Sequence, residues 1–329
     1  MSDILDIRSL VKCFNPKEGN VVDRIDLSID KGSVISLLGE SGSGKTTLTR
    51  LIAGLEVPDS GEILLDGKVV ASASKFITPQ HRKVGMVFQD YALFPHMTVF
   101  ENVGYGIQTR STKKNRVQEV LALVGLQNLG HRYPHQLSGG QQQRIALARA
   151  LAPKPKVLLL DEPFSNIDAS LKSRLLSELF QIIRKSNVTA IFLTHDTQDA
   201  FAVSDKVMVL QSGCLVQEGT AKDLYENPIN LYIAALFGPI VQFNADDLAC
   251  FNFSANEHNI YAIRQNRFQV NNKKLRHTTK VAVQKSTFLG NCFLNQTTLP
   301  NKKAIRFFSD KKLQDVVLIG FEDDSLMVF

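Results

Sequence analysis

Cysteine is scarce and long apolar runs are absent. Only four cysteines, Cys13, Cys214, Cys250 and Cys292, occur in 329 residues, with no C-x-x-C pair and no clustered histidines beside them. This excludes a disulfide-stapled scaffold and a cysteine zinc site, and is the pattern of reduced, mostly buried thiols in a cytosolic protein. No stretch of about 18 apolar residues runs uninterrupted, so no transmembrane helix can be drawn. The start, MSDILDIRSL, carries acids where an export signal needs a basic and then an apolar run, so a place inside the cell is expected. Strong charge of either sign is also missing. Thirty-eight Lys plus Arg against thirty-two Asp plus Glu leaves +6, too mixed to point to nucleic acid and equally compatible with an anionic membrane face.

What is present is ordinary for a folded protein: 44% apolar and 21% charged residues. At roughly 150 residues per domain, the length predicts two domains. Ile4–Ile7 and Val21–Ile29 are expected as antiparallel strands around the turn-rich segment 15–20. Val34–Leu38 is a short apolar run ending in glycine, the pattern of a buried parallel strand. A helix is expected from Gly44 to Ala53, and helical periodicity fills about 91–152, with 110–116 as a solvated loop or helix start. Val157–Leu160, Ala190–Leu193 and Val207–Leu210 then alternate with helices, which argues for an α/β layer with a parallel sheet. Near Phe237-Gly238-Pro239-Ile240 the pattern changes to short strands, Ile260–Ile263, Lys280–Val283, Ala304–Phe308 and Val316–Phe321. Domains are therefore expected at 1–238 and 239–329, the second a small all-β barrel or sandwich.

Three motifs carry chemistry. Gly39-Glu40-Ser41-Gly42-Ser43-Gly44-Lys45-Thr46 matches G-x-x-x-x-G-K-[ST] between a strand and a helix, and Thr47 continues it. Its glycines let N–H groups turn around phosphate oxygens at a helix N-terminus, with Lys45 reaching the β and γ phosphates and Thr46 supplying a hydroxyl to Mg²⁺. Asp161 and Glu162 follow the apolar run Val157–Leu160, at the sheet edge where α/β proteins bind ligands. Asp161 suits a Mg²⁺ ligand and Glu162 a general base for an attacking water. The alternative for the pair is a helix cap. In Leu137-Ser138-Gly139-Gly140-Gln141-Gln142-Gln143-Arg144, Ser138 begins a helix whose exposed N–H groups form a second anion site.

Together these segments resemble the ATP-binding subunit of ATP-binding-cassette (ABC) transporters. The resemblance implies a P-loop NTPase α/β fold with an antiparallel β subdomain and a helical subdomain, followed by a small β domain of the TOBE or OB type. It implies hydrolysis of ATP with Mg²⁺ on the cytoplasmic face of the inner membrane. It also implies a head-to-tail homodimer, in which Ser138, Gly139, Gly140 and Gln141 meet the nucleotide held by the partner's Lys45. Two transmembrane permeases and, indirectly, an extracytoplasmic solute-binding protein would be partners; nucleic acid would not. Gln89 resembles the glutamine that contacts Mg²⁺ and water, Asp168 the carboxylate of a dimer-contact loop, and His195 the histidine that senses the γ-phosphate. Phe14 holds the place of an aromatic that stacks on adenine, though Cys13-Phe14 also fits a core strand pair. Asn166-Ile167 departs from the family's usual Ala-Leu, and Ile263-Arg264-Gln265-Asn266 from an Arg-Pro-Glu.

Residues 76–86 and 94–96 resemble ferric-iron importers most, with polyamine, sulfate and sugar importers as alternatives and a soluble ABC ATPase as a different class. Cations gather in the tail at Arg264, Arg267, Lys273, Lys274, Arg276, Lys280 and Lys285, a candidate charged surface.

Overall fold

The computed structural model describes residues 3–164 and 169–329. The chain forms two compact units, Met1–Ala221 and Lys222–Phe329.

In the first unit, β1 (Asp3–Lys12) and β2 (Val22–Asp30) pair antiparallel. β1 runs well past Ile7 because the register shifts between Ile7 and Leu10, with Ser9 at φ 45°. A bulge carries the strand through the polar Arg8-Ser9, where period-2 reading stops. β3 (Val34–Leu38) is buried throughout and leads through the glycine loop into α1 (Lys45–Ala53). β4 (Ser60–Leu65) and β5 (Lys68–Ala71) complete an antiparallel sheet in the order β2-β1-β4-β5. After β6 (Val84–Val87) come the helices α2 (Val99–Gly104), α3 (Arg110–Leu123) and α4 (Gly139–Leu151). The basic stretch 110–116 is thus the opening of α3.

β7 (Val157–Asp161), α5 (Ala169–Ser186), β8 (Thr189–Leu193), α6 (Thr197–Val203), β9 (Lys206–Gln211) and β10 (Cys214–Gly219) follow. The central sheet has the order β10-β9-β3-β8-β7-β6, with β10 antiparallel on its edge. It is covered on both faces, which is why its strands are apolar at successive positions. Leu158 and Leu160 of β7 join the core beneath the helical region with Val117, Val120 and Ile145. Val157 and Leu159 join the opposite core, with Leu48 and Leu51 of α1 and the antiparallel sheet. The motif loops leave this layer from the C-terminal ends of β3, β7 and β8.

The second unit opens with α7 (Ala221–Glu226) and α8 (Leu231–Leu236). β11 (Ile240–Phe243), α9 (Ala245–Ala249) and β12 (Tyr261–Arg264) follow. The remaining strands are β13 (Gln269–Val270), β14 (His277–Phe288), β15 (Phe293–Thr298), β16 (Ala304–Ser309), β17 (Val316–Phe321) and β18 (Leu326–Val328). They form antiparallel sheets β11-β12-β18 and β13-β17-β14-β15-β16 around Phe243, Phe251, Phe268, Phe307 and Phe321. The fold is therefore an α/β layer with a glycine loop between β3 and α1, beside an antiparallel sheet and helices, followed by a C-terminal region of antiparallel sheets.

Three expectations need correction. The compact units part at Ala221/Lys222 rather than at 238. Buried Arg264 donates to the carbonyls of Ala234 and Tyr225 and stacks on the Tyr225 ring, so α7 and α8 belong with β12. Arg264 is accordingly no part of a charged surface. The thiols are not buried: Cys214 is exposed in the β9–β10 hairpin and the other three are partly exposed, all free.

Candidate functional site

The glycine loop turns between β3 and α1 in a conformation only glycine supplies at two points. Gly39 has φ 154° and Gly44 φ 101°; a Cβ would stand 2.4 Å from the carbonyl oxygen of Leu210 or of Val21, respectively. Gly44 is the N-cap of α1, so the first N–H groups of that helix open toward the loop, a built-in anion site. Lys45 is buried to 7% exposure, with its Nζ donating to the carbonyls of Gly39 and Glu40, both at 2.8 Å. Burial pulls its pKa below the ordinary lysine value, and the carboxylates of Glu162 and Asp161 oppose that shift. The ammonium thus rests on loop carbonyls, a position from which a better-matched anion can draw it.

At the end of β7, burial raises the pKa of Asp161, and the charge of Glu162 adds to the effect. Glu162 has φ 42°, a left-handed backbone that costs about 1–2 kcal/mol for a residue with a Cβ. Residues 162–164 that follow the strand are bend and turn, not helix. From the end of β8, His195 Nδ1 comes to 3.3 Å of Glu162 Oε2. The next residues, Asp196 and Asp199, both bind Lys172 Nζ, at 2.8 and 2.6 Å, which fixes the start of α6 beside the histidine.

One cavity of about 620 Å³ gathers Ser41, Gly42, Gly44, Lys45, Thr46, Thr47, Glu162 and His195, with Val21 as a wall the motifs did not announce. A second, of about 930 Å³, is lined by Ser138, Gly139, Gly140 and Gln141 at the start of α4, with Arg144 and Gln89. In α4 the side chain of Gln141 accepts from the N–H of Ser138 at 3.0 Å, closing a capping box. Arg144 pairs with Glu178, which also accepts from Arg174 at 2.9 Å.

Gln89 lines the cavity of Ser138, while Lys45, Thr46 and Glu162 line the other. Phe14 is 57% exposed, which removes the core-pair reading and leaves its ring open, with Lys12 Nζ 5.1 Å from the centroid. Asp59 bonds both Lys12 and the Cys13 N–H, at 3.1 and 2.6 Å, and so anchors the strand end before Phe14. Asp168 lies outside the described residues. Asp59, Lys172 and Arg149 escaped the motif reading because each acts through side-chain contacts distant in sequence; only Arg149, in the last turn of α4, carried a signal, and that one reads as a helix-dipole cation.

Residues 22–165 match the family model described as "ABC transporter". The chain is similar to spermidine/putrescine import ATP-binding protein PotA of Shigella dysenteriae serotype 1 (strain Sd197) and of Escherichia coli (strain K12). Each is 45% identical over 249 residues, covering 74% of this chain and 64% of the relative. The match thus spans less than two thirds of those proteins. Among solved structures, cbiO1 from Clostridium perfringens, described as part of the ABC transporter complex cbiONQ, superposes with a TM-score of 0.62 at 30% identity, covering 69% of this chain and 92% of that one. With its glycine loop, its strand-end carboxylates and this likeness over the first unit, the chain belongs to the ABC transporter family, with an ATPase domain of the P-loop fold.

Proposed function

We propose that the chain hydrolyses ATP to drive import through membrane permeases, and that the imported solute is a polyamine of the spermidine or putrescine type. The observation that carries the ATPase reading is the convergence of Lys45, Glu162 and His195 from three strand ends onto one cavity. The polyamine reading is supported by the names of the relatives. The ferric-iron type expected from residues 76–96 finds no support among them and yields to the polyamine alternative. Among the described residues no helix is long and apolar enough to cross a membrane; in this reading the chain docks on permeases at the inner-membrane face.

In this reading the triphosphate lies over the first turn of α1, where N–H groups and Lys45 bear on its β and γ phosphates. Phe14 offers a face to the base. Glu162 accepts the proton of the attacking water, and His195, whose Nδ1 lies 3.3 Å from that carboxylate, faces the γ-phosphate. A divalent cation fits the donor set: Asp161 is a carboxylate whose ionised form burial and Glu162 disfavour, and Thr46 opens on the same cavity. Thr46, Gln89 and Asp161 would hold Mg²⁺; bound there, the ion would offset phosphate charge. Ser138–Gln141 would complete the site of a second copy, and Asp168 would contact it.

The test is phosphate release from Mg·ATP by the purified chain, together with uptake of labelled spermidine, Fe³⁺ and sulfate by cells carrying the intact chain or Lys45→Ala. Loss of spermidine uptake alone supports the reading. Loss of Fe³⁺ uptake alone returns it to the iron type, and absence of ATP turnover in the intact chain removes it.

A further inference from the structure

Between β6 and α2, residues 88–98 form neither strand nor helix, yet two side chains from elsewhere bond their main chain. Asn102, wholly buried in α2, donates to the carbonyls of Phe94, Met97 and Thr98 at 3.1, 3.0 and 3.0 Å and accepts from the N–H of Phe94 at 2.9 Å. Arg149, in the last turn of α4, donates to the carbonyls of Ala92 and Tyr91 at 2.6 and 3.0 Å. Its guanidinium also lies 5.5 Å from the centre of the Phe94 ring. Tyr91 and Ala92 are consecutive non-glycine residues in the left-handed region, φ 61° and 45°. Such a pair persists only where surrounding contacts over-determine it. The planar fork of Arg149, spanning two successive carbonyls, supplies that constraint.

The placement gives the constraint a purpose. Gln89, Asp90 and Tyr91 line the cavity that also holds Ser138 and Gly140, and Ser138 opens the helix that Arg149 closes. We propose that Arg149 is a positioning residue: it clamps the left-handed pair Tyr91-Ala92 so that Gln89 is presented at a fixed place on the Ser138 cavity, linking both ends of α4 to the Gln89 arm. The proposal rests on the ATPase reading for its effect on turnover, while the clamp itself has a readout independent of it.

The experiment uses the full chain. Arg149→Lys keeps the charge but loses the fork, and Arg149→Met loses both. At a temperature where melting curves show both variants folded, kcat for Mg·ATP falls about tenfold or more while KM changes less than about threefold. Ala92→Gly, which adopts φ 45° freely, raises the melting temperature of the intact chain, and raises it less in the Arg149→Met background, where the unclamped pair can leave the left-handed region and carries less strain to relieve. It restores no turnover there. An unchanged kcat in a folded Arg149→Met chain overturns the positioning role. Equal melting shifts from Ala92→Gly in both backgrounds overturn the clamp. If the intact chain hydrolyses no ATP, the proposed function fails, and the melting comparison still decides the clamp.

Discussion

The Lys45 cavity and the Ser138 cavity both sit at helix N-termini, but they are furnished differently. Around Lys45 the side chains are ionisable, partly desolvated and drawn from three strand ends, with a buried ammonium, paired carboxylates and a histidine within 3.3 Å of one of them. Around Ser138 the helix start offers a hydroxyl, two glycines and amides, and the charged residues Arg144 and Glu178 neutralise each other at its rim. The first can move protons and carry compensating charge; the helix start in the second donates hydrogen bonds and a helix dipole. A reaction needing both sets is incomplete in either cavity alone, which is the physical ground for the proposal that two copies share a site.

Substitutions separate the two roles, the strongest first. Glu162→Gln should lower kcat about 10²–10⁴-fold while nucleotide binding survives and a closed dimer accumulates on sizing columns; normal turnover would remove Glu162 as the base. Lys45→Ala should cost about 10²–10³-fold in turnover, measured as phosphate release. Gly139→Asp probes the other cavity: a Cβ there meets nothing within 4 Å, and a carboxylate in the first turn suits the helix. The melting temperature should hold, and turnover should fall about tenfold or more through repulsion of phosphate. Phe14→Ala should weaken ATP binding by roughly 1 kcal/mol, about fivefold in Kd, if the open ring stacks on the base, read by titration.

The smallest expected effect has the opposite sign. Because burial and Glu162 raise the pKa of Asp161, its ionised form is disfavoured in the folded chain. Above that raised pKa the fold carries the full cost, and the cost shrinks as pH falls from the folded pKa toward the unfolded one, below which the carboxyl is neutral in both states. Asp161→Asn should therefore raise the melting temperature at neutral pH by about a few degrees, with the gain fading as pH falls through the folded pKa, while Mg²⁺-dependent turnover is lost.

The glycine loop and the parallel strands were legible because their causes are local. Val34–Leu38 is buried on both faces and apolar at nearly every position, and the loop's glycines meet carbonyl oxygens that exclude a Cβ. β14 was read only at Lys280–Val283, since HTTKVAVQKSTF hides a strand that pairs with β17 through residue 282 and with β15 from residue 283 onward. The boundary at 221 escaped because it depends on Arg264 bonding carbonyls 30 and 39 residues away. In the site, Lys45, Glu162 and His195 were named from motif order alone, whereas the left-handed pair Tyr91-Ala92 beyond Gln89 has no sequence signature.

The central claim, that Lys45 of one copy and Ser138–Gln141 of another serve one nucleotide, is tested most directly by mixing chains carrying Lys45→Ala with chains carrying Gly139→Asp. Half the dimers in an equal random mixture would be mixed, each with one site free of both changes, so turnover should recover to about one quarter of the intact chain. Activity no higher than the two variants measured apart would contradict the claim.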